Sequence, residues 1–214
     1  MSLRNRDMQV EQEIAHFLDE YLYPKNNILK KYNRVNDRES QLQGIDCTIR
    51  YKNKNIIIDE KAASHYINSN LPTFAFELGS YQRSGYVDGW LIDETKKTTH
   101  YLLIWIKTFT PCDKKAWINK NDIKTLECLL INKNDILSYL DNQGYTRDKL
   151  INKRNNIIKE KTFGPIDKNN QSEFYFFNTR SLEEAPVNII IKKNKLKQMS
   201  IIHWLVSRES IVVC

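Results

Sequence analysis

The segment Asp46-Cys47-Thr48-Ile49-Arg50-Tyr51-Lys52-Asn53-Lys54-Asn55-Ile56-Ile57-Ile58-Asp59-Glu60-Lys61 sets the strand plan of this chain. Two β-prone runs flank a polar stretch, Lys52 to Asn55, which reads as a tight hairpin. With Tyr51 facing Ile56, Asp46 falls opposite Lys61 and Thr48 opposite Asp59. Side chains alternate along a strand, so Asp46, Asp59 and Lys61 share one face. Glu60 points the other way, beside Ile45 and Cys47. Two carboxylates about 5 Å apart repel by roughly 3 kcal/mol at an effective dielectric near 20. Lys61 relieves part of that cost, and a divalent cation would relieve more. Magnesium is typically held by one or two carboxylates together with waters and phosphate oxygens. The patch therefore points to metal-assisted cleavage of a phosphodiester, with Lys61 stabilising developing charge or orienting the attacking water. The plain alternative is an Asp/Lys pair on the solvated face of an ordinary hairpin.

Residue order adds to this. Gly44-Ile45-Asp46, followed by an apolar strand ending Asp59-Glu60-Lys61, resembles the core of the PD-(D/E)xK nuclease superfamily. The proline that names the motif is replaced by Ile45. The resemblance covers about the first half of the chain. It implies a restriction-endonuclease-like α/β fold, a mixed β-sheet flanked by helices, with Asp46 and Asp59 holding Mg2+ (or Mn2+) and Lys61 assisting catalysis. It also implies a glutamate on the helix before the first strand. Residues 7 to 23 read as that helix, with Asp7 as its cap and Val10, Ile14, Phe17, Leu18, Tyr21 and Leu22 as an apolar stripe. At 100° per residue Glu11 falls inside the stripe and Glu13 on its edge. Glu11 is the expected fourth catalytic residue and Glu13 the reserve, because an acid inside an apolar stripe needs a partner. Otherwise Glu11 lies on the rim and reaches water.

The chain has 214 residues, 41% of them hydrophobic, enough for a real core. No apolar run approaches the roughly 18 residues of a membrane span, and the N-terminal stretch lacks the apolar core of a signal peptide. A soluble, cytoplasmic protein is expected. Cys47, Cys112, Cys128 and Cys214 have neither CxxC nor zinc-ligand spacing and read as reduced thiols. The net charge of +7 divides unevenly: residues 1–110 hold 15 Lys/Arg against 14 Asp/Glu, and residues 111–214 hold 18 against 12. A polyanion suits that division, with basic side chains gathering phosphates and the acids placed at the scissile one.

Further along, Thr73 to Leu78 alternates as a strand, Gly79 to Gly89 reads as a loop carrying Arg83 and Tyr86, and Trp90-Leu91-Ile92 and Tyr101 to Phe109 as strands. The run from 73 to 109 is expected to continue the hairpin's sheet as a meander. Glu77 could then project toward the Asp46/Asp59 patch as a further ligand. Residues 64–72 are short and polar, with Tyr66 expected to pack under the loop. Leu129 to Ile136 and Ile189 to Leu196 echo one another as apolar strand, polar break and helix start. The first such helix runs to about Asn142 before Gly144, and the second is expected over 195–206. Tyr145 to Lys161 reads as a basic helix whose Arg147, Lys149, Lys153 and Arg154, with Arg83, suit phosphate contacts. Gly164 to Gln171 reads as a loop and Phe174 to Phe177 as a strand.

The expectation is a nuclease-like core over 1–110 and a basic C-terminal α/β region over 111–214 within one domain. Its function is metal-dependent cleavage of nucleic acid, DNA first, with a homodimer possible by analogy. The alternatives are a catalytically inactive nuclease fold that binds nucleic acid, or a scaffold that binds a protein partner.

Overall fold

The apolar stripe of the N-terminal segment becomes helix α1 (Leu3–Tyr21), which buries Val10, Ile14, Phe17 and Leu18, with Leu22 buried just beyond it. Each such side chain gains roughly 1.5–3 kcal/mol on leaving water. The helix begins at Leu3 in the computed structural model, so Asp7 lies within it rather than capping it. Residues 3–82, 85–111, 116–179 and 184–214 are described.

Strand β1 (Lys30–Arg34), the short helix α2 (Arg38–Leu42), β2 (Cys47–Tyr51) and β3 (Lys54–Ala62) follow. The β2–β3 connection is shorter than expected. Only Lys52 and Asn53 form the turn, both with left-handed backbone (φ 45° and 65°). This is the two-residue turn whose twist matches antiparallel strands. A Lys-Asn pair without glycine does not announce it. Tyr51 therefore pairs with Lys54 and Cys47 with Ile58, two residues out from the expected register. One step further, Asp46 stands level with Asp59, and its N–H donates to the Ile58 carbonyl (2.9 Å). A slip of one residue would exchange the faces of a strand; a slip of two leaves them unchanged.

Past a 3-10 turn at Ser64–Tyr66, with Tyr66 45% exposed, come β4 (Thr73–Gln82) and β5 (Gly85–Asp88). They do not extend the hairpin's sheet. The other neighbour of β3 is β6 (His100–Thr108), and this pair runs parallel. The burial patterns give the reason. Strand β6 is buried on both faces along nearly its whole length, as an interior strand of a mixed sheet requires. Trp90 to Ile92 is a turn rather than a strand.

Strand β7 (Ile123–Asn132) leads into α3 (Lys133–Asn142), and α4 (Arg147–Lys159) follows. Then come β8 (Gly164–Ile166), β9 (Phe174–Asn178) and β10 (Val187–Lys192), which leads into α5 (Lys193–Met199). The two echoed segments are thus both strand-to-helix junctions. The helix expected over 195–206 ends early, because Ile202, Trp204 and Val206 alternate with period two and form β11 (Ile202–Val206). A last strand, β12 (Ile211–Val213), pairs with β11.

The fold is mixed α/β, with two sheets and five α-helices among the described residues. A seven-stranded sheet has the order β1-β2-β3-β6-β7-β11-β12, and a five-stranded one the order β5-β4-β10-β9-β8. They belong to two units that interleave along the chain: Met1–Leu71, Lys97–Asn132 and Ser200–Cys214 in the first, Pro72–Lys96 and Lys133–Met199 in the second. Both units draw on both sides of residue 110. In the first, α1 packs on the sheet face bearing Cys47, Ile49, Ile56, Ile58, Leu102, Ile104, Cys128, Leu130 and Trp204. In the second, α4 packs on β4 and β10. Cys47 and Cys128 are free and buried and Cys214 free and exposed, while Cys112 lies outside the described residues. Among the described residues no helix is long and apolar enough to cross a membrane.

Candidate active site

Four of the sequence-derived residues converge in the first unit. Asp46 sits one residue before β2, with Asp59 and Lys61 on β3. The backbone ladder fixes Asp46 from both sides: its N–H bonds Ile58, and its Oδ2 accepts the Glu60 N–H (2.6 Å). No hydrogen bond reaches its Oδ1 among the described residues. Asp59 is 3% exposed and its Oδ1 meets the Lys61 Nζ at 2.6 Å. Burial pushes the Asp46 carboxyl up to about 7, and the neighbouring charges of Asp59 and Glu60 add to the rise. Lys61 and the Glu60 N–H oppose it without cancelling it. Burial works against the Lys61 ammonium too, but Asp59, Asp46 and Glu11 outweigh it and hold Lys61 above the usual lysine range.

Glu11 joins this group from α1. Its side chain is exposed, and its carboxylate interacts electrostatically with Lys61 and Asp59. Desolvation raises its carboxyl, Lys61 lowers it, and Asp7 and Asp59 raise it further. Glu13 is occupied elsewhere, with its Oε2 accepting the Lys120 N–H (2.8 Å). One turn before Glu11, Asp7 accepts from Arg6 (2.9 Å) and from the Ser64 hydroxyl (3.4 Å), and lies 3.2 Å from the His65 Nε2. Arg6, itself 3% exposed, also donates to the Ser64 carbonyl (3.0 Å). These bonds explain why Asp7 is not a cap: it ties α1 to the turn that follows β3.

Glu60, between the two motif residues, faces the other side as expected. It accepts from the Tyr23 hydroxyl (2.5 Å) and from Arg34 (2.8 Å). Arg34 is also bound by Asp19, which accepts from the Tyr32 hydroxyl as well. The rings of Tyr23 and Tyr32 stack at 4.3 Å. This network anchors the backbone whose N–H holds Asp46. Sequence reasoning missed it. The one signal available was Glu60 beside Cys47 on a face otherwise apolar, since a buried carboxylate requires a cation.

The remaining candidates do not join the group. Glu77 belongs to the second unit, where its Oε1 accepts from the Ser80 hydroxyl (3.0 Å). Arg83 lies outside the described residues. On α4, Arg154 is 6% exposed and donates to the Leu78 carbonyl (2.9 Å) and to Asp88 (2.5 Å). Arg147 donates to the Ile92 carbonyl (2.9 Å) and lies near Asp88 and Glu94. Lys153 pairs with Asp167 (2.6 Å). Lys149 remains exposed. Most of that basic face is thus matched by acids of its own unit.

Asp46 and Asp59 supply hard oxygen donors at a spot where negative charge is already costly, which is the donor chemistry magnesium or manganese takes. Among the described residues no three His, Cys, Asp or Glu side chains are grouped to ligate an ion by themselves, so an ion there would rely on water or substrate oxygens for most of its shell. Comparison with family models, curated proteins and solved structures finds no match for this chain.

Proposed function

We propose that the protein is a metal-dependent nuclease of the PD-(D/E)xK kind, with a restriction-endonuclease-like first unit, hydrolysing phosphodiester bonds in DNA. The observation that carries this is the meeting of Asp46, Asp59, Lys61 and Glu11 in one charged cluster, with the Asp46 carboxyl pushed up to about 7 by burial and by Asp59. Asp46 and Asp59 would hold Mg2+ or Mn2+, which when bound supplies charge for the phosphate oxygens and activates water. Lys61 donates hydrogen bonds to the attacking water or to a phosphoryl oxygen, where negative charge grows. Asp59 keeps the Lys61 ammonium in place, and Glu11 borders the same cluster from α1. Hydrolysis adds the elements of water across the P–O bond: hydroxide joins phosphorus and the departing sugar oxygen gains a proton.

The test is incubation of purified protein with magnesium on single-stranded, duplex and branched DNA, with RNA alongside. Cleavage that disappears in Asp59→Ala and Lys61→Ala is the expected result. Cleavage that survives both substitutions overturns the assignment. A second reading, nucleic-acid binding without chemistry, draws on the lack of a third acidic ligand among the described residues. Retention of DNA without cleavage across magnesium, manganese and cobalt selects it.

A further inference from the structure

The cations that α4 was expected to offer are largely paired, but another set is not. Residues 22–36 and 47–58 contain no Asp or Glu, yet they carry Lys25, Lys30, Lys31, Arg34, Arg50, Lys52 and Lys54. Arg34 is held by Asp19 and Glu60. Lys30, Lys31, Arg50, Lys52 and Lys54 have no acidic partner among the described residues. Sheet pairing brings part of this set together: Lys30 stands opposite Arg50, Lys52 lies at the turn two residues beyond Arg50, and Lys54 begins β3 opposite Tyr51.

The same pairing says which face they take. Arg50, Thr48 and Asp46 alternate with the buried Cys47, Ile49 and Tyr51, so they lie away from α1. Asn33 is opposite Thr48, and Lys30 is opposite Arg50. One sheet face therefore runs from Lys30 and Arg50, through Asn33 and Thr48, to Asp46 and Asp59. Four residues of strand span about 13 Å. Measured along the axis of a DNA duplex, that spans about four phosphates of one strand, at roughly 3.4 Å each.

Lysines on an edge strand are also a common guard against unwanted pairing between sheets, and β1 is such an edge. Arg50 does not fit that explanation. It sits on β2, inside the sheet, half-buried, and its Nε has no hydrogen-bond partner among the described residues. A half-buried guanidinium with no acidic partner among the described residues is suited to a phosphate, which can accept from two N–H groups of an arginine at once.

We infer that Lys30 and Arg50, with Lys52 at the turn beyond them, form a phosphate-binding track that leads a nucleic-acid strand to Asp46 and Asp59. The destination rests on the nuclease reading; the binding itself does not. Polar Asn33 and Thr48 line the interval, and no acid interrupts it until the carboxylates. The track reads backbone charge and not base identity, because every group assigned to it is a phosphate donor.

The experiment is fluorescence anisotropy of the full-length protein on a labelled 20-nucleotide single strand and the matching duplex, in EDTA, across a salt series. Lys30→Ala with Arg50→Ala is expected to weaken binding on the order of tenfold at low salt and to lower the log–log salt slope by about 1.4–1.8. Arg50→Lys, which keeps the charge but not the two-pronged contact, is expected to lose less affinity than Arg50→Ala, which separates lost charge from lost folding. Lys149→Ala with Lys159→Ala, on α4, serves as the control and is expected to change little. Unchanged affinity in the Lys30/Arg50 variant, an equal loss in the α4 control, or no binding by the unaltered protein each overturns the track. Cleavage of DNA by a protein whose Lys30/Arg50 variant still binds normally leaves the nuclease and removes the track. Binding that depends on Lys30 and Arg50 with no cleavage in any metal does the reverse.

Discussion

Asp46 carries an electrostatic cost because burial, Asp59 and Glu60 all disfavour its charge. With its carboxyl near 7 in the folded chain, against an ordinary value near 4, folding takes up a proton between those pH values. Stability attached to this group is intact below about pH 4 and falls as pH rises through about 7. Asp46→Asn keeps the oxygen that accepts the Glu60 N–H and removes the charge. In the metal-free protein at pH 8 it is expected to add about 1–2 kcal/mol, or about 3–6 °C in Tm at this chain length. At pH 4 the gain should vanish. Calorimetric melts at the two pH values check this, and a variant that melts lower at pH 8 would contradict it. The same substitution is expected to abolish cleavage, so stability and activity move in opposite directions at one position.

Among elements, the β2–β3 hairpin shows what was legible and what was not. Period-two alternation placed Asp46, Asp59 and Lys61 on one face and Glu60 on the other, and the structure keeps that division. The register itself was two residues off, since Lys52 and Asn53 adopt left-handed backbone without a glycine to signal it. Each such residue costs roughly 1–2 kcal/mol relative to glycine. Replacing Lys52→Asn together with Asn53→Gly is accordingly expected to raise Tm by a few degrees with the fold unchanged; a lower Tm would contradict the turn assignment. Arg34 was not legible, because its partners Asp19 and Glu60 come from α1 and β3, and only the fold brings them together. Arg34→Met leaves Glu60 and Asp19 without their cation and should cost about 3–5 kcal/mol by denaturant unfolding. A loss under 1 kcal/mol would show the network to be dispensable.

At the scale of the whole chain, the sequence disclosed most elements but not which sheet each joins. Thr73 to Leu78 reads as a strand under either plan; the strand runs on to Gln82, into the expected loop, and its sheet is decided by β10, more than a hundred residues later. The seven-stranded sheet likewise draws β7, β11 and β12 from beyond residue 110. A fragment ending at residue 110 therefore lacks three strands of the sheet that positions Asp46 and Asp59. Circular dichroism of that fragment is expected to show no cooperative melt, and a cooperative melt would contradict the interleaved plan. The basic surface moved for a similar reason. Net charge favoured the second half of the chain, but pairing with Asp88, Glu94 and Asp167 occupies three of the four α4 cations proposed for phosphate. Unpaired cations remain where the sequence is locally free of acids.

An anomalous difference map from crystals soaked in manganese tests most directly whether Asp46 and Asp59 hold a cation. A peak between the carboxylates of Asp46 and Asp59, close enough for direct oxygen ligation and absent from Asp59→Asn crystals, is the predicted result. A map at saturating manganese with no density between those two side chains would show that they hold no ion.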